Sequence, residues 1–521
     1  MNRRNILKRS IAAFAALSTT RLPFLPLAAA QAESQQQRQS LESLAADLLG
    51  TLLLPADPRY RAAAISANAR FNQVLPLAIA MCKSPADVAT CINWARNEGI
   101  PLATKGGGHN YEGASSTTGL LISTRGMNRI RLDREARRLV VESGVLNGAI
   151  LNELKAGNLM LPIGTCPQVG VCGLALGGGI GENSRWAGMT CDRLRSTSLV
   201  LANGELVTAD ERVNSDLFWA CRGAGGGGFG IHTELVFELL PLVSPVTSVV
   251  ELLYHGREAA IEVFQAVDRL MQKPPNGLNG FLFASTSPAL GDRADEDIPA
   301  GKSLDPKRFP GTLVQLNYQG SKEDLSRLIQ PLLKIAKSSR IELPGELVIE
   351  QPFWEAQLTS LAVPDQRPHG FSSASRFANK PLSAETVKGL IDSLLEAPFA
   401  QRDRNASIEL MCWGGGVVNE VAPDAMAYVH RNSTTIPRVS TWWLADTPTS
   451  EQKQLLNWMK GAYEMITSDS QSESFQNFPN PLVTDWKTAY HGRNLPRLVD
   501  LKKRYDPQNL FQHAQSIPLT L

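Results

Sequence analysis

A chain of 521 residues is too long for a single compact core, so two or three domains are expected. With 43% hydrophobic and 20% charged residues it has the composition of an ordinary soluble globular protein, and seven cysteines are too few for a disulfide scaffold. The net charge of +2 includes five basic residues and no acid in residues 1–30, while the remainder carries 47 basic and 50 acidic side chains, so no electrostatic case for a nucleic-acid partner exists.

The N-terminus reads as an address. Asn2-Arg3-Arg4-Asn5-Ile6-Leu7-Lys8 is a twin-arginine signal, followed by apolar stretches at 11–17 and 22–30. Ala28-Ala29-Ala30 and Ala30-Gln31-Ala32 offer small residues for cleavage. The reading is a signal peptide over residues 1–32, with the twin-arginine translocase as partner and the periplasm or the medium as destination. An uncleaved amphipathic helix is the alternative. No later segment offers ~20 uninterrupted apolar residues, so no membrane span is expected.

A helix is predicted to start after Ser84, with Pro85 in its first turn, Asp87 completing a capping box and Gly99 as the stop. Val88, Cys91, Ile92 and Ala95 mark its apolar face. Cys82 and Cys91 lie close enough in sequence to pair, although separate burial is the simpler reading. Strands are expected at 100–104, 120–123 and 139–142, and a helix at 145–154. Asn203-Gly204 joins strands at 196–202 and 205–209 in a hairpin. Asn214 is expected to cap a short helix through Trp219, and a strand at 231–240 ends at Pro241. Beyond 241–245 strand-like runs stand at 249–254, 280–284, 312–318, 408–412 and 439–445. Helical runs lie between them at 258–271, 322–336 and 451–466. This predicts an α+β domain, one antiparallel sheet with helices on one face. Residues 286–310 read as a long loop of the kind that covers or binds.

Three glycine clusters fall within 125 residues: 106–108 followed by His109, 177–181, and 225–230. Glycine lets backbone amides approach a ligand where a side chain would clash, and such amides bind a pyrophosphate without a lysine. Gly225, Gly227 and Gly230 fit G-x-G-x-x-G, but a helix is read before them and a strand after. A dinucleotide fingerprint needs the reverse order. No P-loop, H-E-x-x-H, C-x-x-C or G-x-S-x-G is present, and the seven histidines lack ligand spacing, so no metal site is expected. His109 and Cys166 stand out as nucleophiles. Taken singly, each reads equally as a turn histidine and a buried small hydrophobe.

Four motifs in order carry a resemblance. T-K-G-G-G-H-N-Y-E-G at 104–113 and G-T-C-P-Q-V-G-V-C-G at 164–173 resemble the two flavin-attachment loops of the berberine bridge enzyme-like family, within the vanillyl-alcohol oxidase superfamily. D-L-F-W-A-C-R-G-A-G-G-G-G-F-G at 216–230 is similar to its third FAD-contact segment, and Y-D-P-Q-N-L-F-Q-H-A-Q-S-I-P at 505–518 to its closing signature. The resemblance implies a PCMH-type FAD-binding domain of two subdomains over 33–242. It implies a substrate-binding α+β domain over 243–470 and a C-terminal segment, 471–521, that returns to the FAD domain. It also implies FAD attached twice, by His109 to the 8α-methyl (8α-N-histidyl) and by Cys166 to carbon 6 (6-S-cysteinyl). Further cofactor contacts are implied at Lys105, Gly106, Gly107, Gly108 and Asn110 in the first loop. Gly170, Gly173, Gly178, Gly179 and Asp192 follow, then Gly227, Gly228, Phe229, Gly230 and Ile231, and finally Asn509.

Two departures matter. Cys172-Gly173-Leu174 stands where the family commonly has G-G-H, which makes Cys172 a second thiol near the flavin. Phe475 stands where many members place a tyrosine that acts near the substrate. A base must then come from elsewhere, and Glu409, on the strand before Gly414-Gly415-Gly416, is the candidate. An outer-face glutamate is the plainer alternative. Tyr111, Trp413 and Trp443 are candidate pocket residues. The implied activity is transfer of a hydride from a small alcohol, sugar or alkaloid-like substrate to FAD, with oxygen or another acceptor closing the cycle. A flavin-binding protein that has lost its base is the second reading.

Overall fold

The computed structural model describes residues 27–226, 228–286, 310–359, 368–398 and 404–521. The twin-arginine motif, Gly227 and all but the ends of the loop expected at 286–310 lie outside the described residues. Residues 1–47 form one unit and residues 48–521 another. In the first, the candidate cleavage alanines fall inside a continuous helix, Leu27–Asp47.

In the second unit, helix Pro85–Glu98 shows local rules at work. Ser84 Oγ accepts the Asp87 N–H at 3.2 Å, Pro85 takes the first turn, and Gly99 closes the helix at φ 65°. Val88, Cys91, Ile92 and Ala95 form the buried stripe. The capping box does not close. The Asp87 carboxylate instead accepts the N–H groups of Lys83 and Leu49, both at 2.7 Å, and so fixes the chain entering the fold. Cys82 and Cys91 are buried free thiols with sulfurs 4.0 Å apart.

Two small sheets frame the glycine clusters. Thr51–Leu53, Ala78–Met81, Leu120–Ser123 and Leu102–Lys105 form one, parallel except for its first pair. Ile130–Asp133, Arg138–Glu142, Ile231–Glu238, Leu194–Val200 and Leu206–Asp210 form the other, antiparallel throughout. Asn203-Gly204 makes the expected hairpin turn. Asn214 does not cap helix Ser215–Cys221. It sits at φ 48°, outside the extended region a capping residue uses, and its Nδ2 donates to Thr208 O at 2.8 Å.

The third sheet is the largest and antiparallel. Its order is Arg340–Ile341, Val246–His255, Gly311–Tyr318, Leu278–Ser285, Arg404–Met411, Ile436–Leu444 and His369–Ser375, and Val348–Pro352 also pairs with the second of these. Side chains alternate between its faces. Leu252, Leu282, Val314, Ile408 and Leu410 meet Val263, Phe264, Leu390 and Met459 of helices Arg257–Leu270, Ala384–Leu395 and Thr449–Asp469 in one core. The helices do lie on one face, as the pattern predicts. The single helix expected at 322–336 is two, Lys322–Leu328 and Gln330–Lys334, because Pro331 has no N–H to continue the first and its ring clashes with the turn before it. Among the described residues no helix is long and apolar enough to cross a membrane.

Candidate active site

The second nucleophile loop is stitched down before it reaches Cys166. Asn147, fully buried, donates from Nδ2 to Cys166 O at 3.2 Å, and its N–H bonds Val169 O at 2.9 Å. The Gly148 N–H bonds Pro167 O and the Val171 N–H bonds Val145 O, so residues 166–171 track 145–148. The first loop is shaped from inside. Asn110 Oδ1 accepts the N–H groups of Glu112 and Ala114 at 3.0 and 2.9 Å, a turn that this short side chain makes readily.

These two loops touch. A Cβ on Gly107 would stand 2.3 Å from Gly170 N, and one on Gly170 would stand 2.6 Å from Gly107 N. Only two glycines allow this approach. His109 therefore follows, and Cys166 precedes, one backbone crossing point. Gly107→Ala should push the loops apart, at a cost of about 1–3 kcal/mol if the backbone yields. The expected result is a folded protein whose amides at 106–111 and 166–171 exchange faster; unchanged exchange there would show that the crossing point is dispensable.

The sheet face opposite the helical core looks toward the first loop. Register places Ser375, Arg438, Glu409 and Phe283 in one row across four strands, with Ser373, Ser440, Ser407 and Ser285 in the next. Arg438 donates from Nε to Glu409 Oε2 at 2.8 Å and from Nη2 to the same oxygen, and Ser407 Oγ donates to Oε1 at 3.0 Å. Glu409 is thus buried and ion-paired, not a solvated outer-face residue. Arg438 also lies near enough to the Tyr111 hydroxyl to lower its pKa, and its guanidinium sits 4.8 Å over the Phe478 ring. Tyr111 stacks on Phe478 at 5.2 Å and meets the edge of Phe371 at 4.9 Å. Tyr111, from the first loop, and Glu409, from the sheet, therefore share one guanidinium.

Burial pushes the His109 imidazole below its ordinary value, which favours the neutral ring. Cys166 is accessible to solvent yet closely surrounded by protein. That crowding raises its thiol, against the pull of Thr165 and Arg438. Cys172 is pushed up to about 12 by burial alone. Burial works against the charge on Arg438, but Glu409 and Tyr111 outweigh it and raise its pKa. Burial also raises Tyr111, with Arg438 opposing.

Other candidate residues are already engaged. Lys105 donates to Ala63 O at 2.8 Å and to Ile65 O, and burial lowers it to about 8. The Asp192 carboxylate is held by Arg431 at 2.6 and 3.1 Å and by the Met189 N–H at 2.8 Å. Gly178 and Gly179 make room for Tyr428 and Thr190. Phe229 and Ile231 are buried, and Gly230 lies against Val200 O. Trp443 is buried and alternates to the face away from Arg438, and Trp413 packs with Phe475 and Tyr428. Phe475 is buried among Phe377, Tyr428 and Phe478. Among the described residues no group of three or more His, Cys, Asp or Glu is placed to hold a metal ion.

The description FAD binding domain matches residues 76–210, and Berberine and berberine like matches residues 474–518. The FAD-linked oxidoreductase YgaK of Bacillus subtilis is 29% identical over 476 residues, which span 90% of this chain and 97% of that one. The chain thus carries an FAD binding domain and a berberine-like segment, and the relatives it resembles are FAD-linked oxidoreductases. The oxidoreductase shares the fold of Physcomitrella patens BBE-like 1, with a TM-score of 0.79 and 24% identity over 92% of this chain and 99% of that one. Glucooligosaccharide oxidase from Acremonium strictum, a protein with a 6-S-cysteinyl, 8α-N1-histidyl FAD, has the same fold at a TM-score of 0.79 and 23% identity, over 92% of this chain and 99% of the other. The fold is the α+β, PCMH-type flavoprotein architecture.

The residues present suit FAD. A Cβ on Gly173, Gly225 or Gly226 would meet nothing within 4 Å, so two backbone segments border open space. Ser143 Oγ, beside Gly106, and Asn509 Oδ1 are buried without a hydrogen-bond partner. Two residues at this site escape a reading of the sequence. Arg438 looks like any strand residue until register sets it opposite Glu409. Asn68, fully buried, donates to Tyr111 O at 2.8 Å and to Phe371 O at 2.9 Å, and so ties the first loop to the large antiparallel sheet. No motif marks either one. An arginine directly across from a strand glutamate is a signal available only once register is known.

Proposed function

We propose that this oxidoreductase holds FAD by two covalent bonds, from His109 to the 8α-methyl and from Cys166 to carbon 6 of the ring, and oxidises a small alcohol, sugar or alkaloid-like substrate. The backbone contact between Gly107 and Gly170 carries the reading, because it sets both nucleophile loops against each other. The neutral form of His109 is the nucleophilic one, and Cys166 is the accessible thiol of its loop. Backbone groups of Gly106, Gly108, Gly173 and Gly225 to Gly230, with Asn509, would hold the rest of the cofactor. In this reading residues 33–242 are the FAD domain, 243–470 the substrate domain, and 471–521 the returning segment.

Bound FAD supplies a two-electron acceptor. Glu409 takes the proton from the substrate through Oε1, the oxygen that Arg438 leaves free. Arg438 holds that carboxylate in place and orients the Tyr111 hydroxyl beside it. Oxygen is the acceptor that returns the enzyme to its starting state, as the name of the structurally similar glucooligosaccharide oxidase suggests. Anaerobic mixing with alcohols, sugars and cyclic amines tests this. One class should bleach the flavin, and aeration should restore the colour with one hydrogen peroxide per turnover. A second reading, a flavoprotein without turnover, is favoured by Phe475 and by the ion pair on Glu409. A panel that bleaches nothing would support it.

Export belongs to the same proposal. Replacing Arg3 and Arg4 together with lysine should leave yellow, folded protein in the cytoplasm with its N-terminus intact. Unchanged recovery outside the cytoplasm would remove the twin-arginine route. Wild-type protein from outside the cell should lack about thirty residues, a length set by the position of the small-residue sites.

A further inference from the structure

The third glycine loop leaves helix Ser215–Cys221 at Gly223 and reaches Gly228 before strand Ile231–Glu238 begins. Its near end is held from inside the FAD region. The N–H groups of Gly223 and Gly225 both bond Leu176 O, at 3.0 and 2.9 Å. Gly225 stands at φ 99°, and a Cβ there or on Gly226 would meet no atom within 4 Å. Gly225 and Gly226 thus border open space, while Gly223 packs closely against Tyr428.

Two side chains from the C-terminal segment grip it. Gln476 Nε2 donates to Gly223 O. The amide oxygen of Gln476 meets His430 Nε2 at 3.1 Å, and that ring is stacked 4.6 Å from Phe377 with its other nitrogen 2.8 Å from Glu473. At the far end the Lys502 ammonium, fully buried, spends its three protons on Gly228 O at 2.9 Å, Asp506 Oδ2 at 2.7 Å and Phe511 O at 2.6 Å. Asp506 in turn accepts the N–H groups of Leu510 and Phe511 at 2.8 and 2.9 Å. The two bonds to the loop join residues 253 and 274 apart in sequence.

We propose that Lys502 and Gln476 are positioning residues for the cofactor, a two-point clamp by which the C-terminal segment sets the arc from Gly223 to Gly228 in its FAD-receiving shape. The proposal rests on the reading that this arc contacts FAD. A buried ion pair is a poor source of net stability, since desolvation offsets most of its attraction. What the Lys502 pair does supply is direction: one donor aimed at the Gly228 carbonyl. Burial pushes the Lys502 ammonium down and Asp506 holds it up, so the third proton depends on its partner.

The test uses Lys502→Met with Asp506→Leu, which removes both charges at similar volume, and separately Gln476→Met, which disturbs no charge. Each purified protein is measured for FAD per chain and for hydrogen exchange by mass spectrometry. Both variants should lose several-fold in FAD content. Exchange in residues 222–230 should rise at least about tenfold, while that in strand Ile231–Glu238 stays at the wild-type level. Unchanged exchange at 222–230 with full FAD content overturns the clamp. So does a uniform rise across the chain, which would make the pair a general stabiliser. If the charge-removed variant does not fold, Gln476→Met decides alone. Were wild-type protein itself free of FAD, the proposed function would fall, yet the exchange of 222–230 would still report on the clamp.

Discussion

Unfolded in acid and desalted, the wild-type protein is expected to stay yellow and to carry the added mass of one FAD. His109→Ala should leave a flavin held through sulfur, and Cys166→Ala one held through nitrogen. The double variant should release all its FAD on unfolding. The loops that carry these residues are shaped independently, one by Asn110 and the other by Asn147, so either bond can form without the other. Each single loss should lower the reduction potential, because one electron-withdrawing substituent is gone. Cys172→Ala is the control. Its sulfur is packed by the core of the FAD region with its pKa near 12, and its removal should change neither mass nor attachment. Loss of the sulfur bond in Cys172→Ala, with Cys166→Ala sparing it, would move the assignment to the next turn of chain. Complete release of flavin from wild-type protein by acid would end the bicovalent proposal.

Glu409→Gln should slow flavin reduction in a single turnover by about 10²–10⁴, the usual worth of a positioned base. Substrate affinity should change far less, because a base acts mainly in the transition state. The substitution also strands the Arg438 charge, and removing one partner of a buried pair costs about 3–5 kcal/mol. A lower melting temperature is therefore expected alongside the slower chemistry. Glu409→Gln combined with Arg438→Met removes the stranded charge. It should recover much of the melting temperature but none of the rate. Normal single-turnover reduction in Glu409→Gln would take the proton-accepting role from this residue.

The parts of the fold written in local chemistry were readable from the chain. Ser84, Pro85 and Gly99 announce a helix, and Asn203-Gly204 a hairpin. Strand His369–Ser375 was not. Its sequence, His-Gly-Phe-Ser-Ser-Ala-Ser, shows no apolar alternation, because the face it presents beside Arg438 is made of His369, Phe371, Ser373 and Ser375. The break at Pro331 overrode an amphipathic pattern that ran on through it. Glu409 could be picked out by the glycines after it. Arg438, which decides what that carboxylate can do, is fixed by strand register, and register is a property of the folded sheet. Asn68 is similar. A lone asparagine before a short turn gives no hint that it will bind two carbonyls from distant segments.

The reach of Asn68 sets an order of events during synthesis. Its side chain bonds Phe371 O and accepts the Phe371 N–H, partners 303 residues further along. At ordinary translation speeds Phe371 leaves the ribosome roughly 15–60 s after Asn68 does. For that interval the loop carrying His109 has its nucleophile but lacks the neighbour that braces it. On the proposed attachment, His109 would meet its flavin in a braced loop only after Phe371 has emerged. A ribosome stalled before residue 369 would hold a nascent FAD region unable to finish its own site.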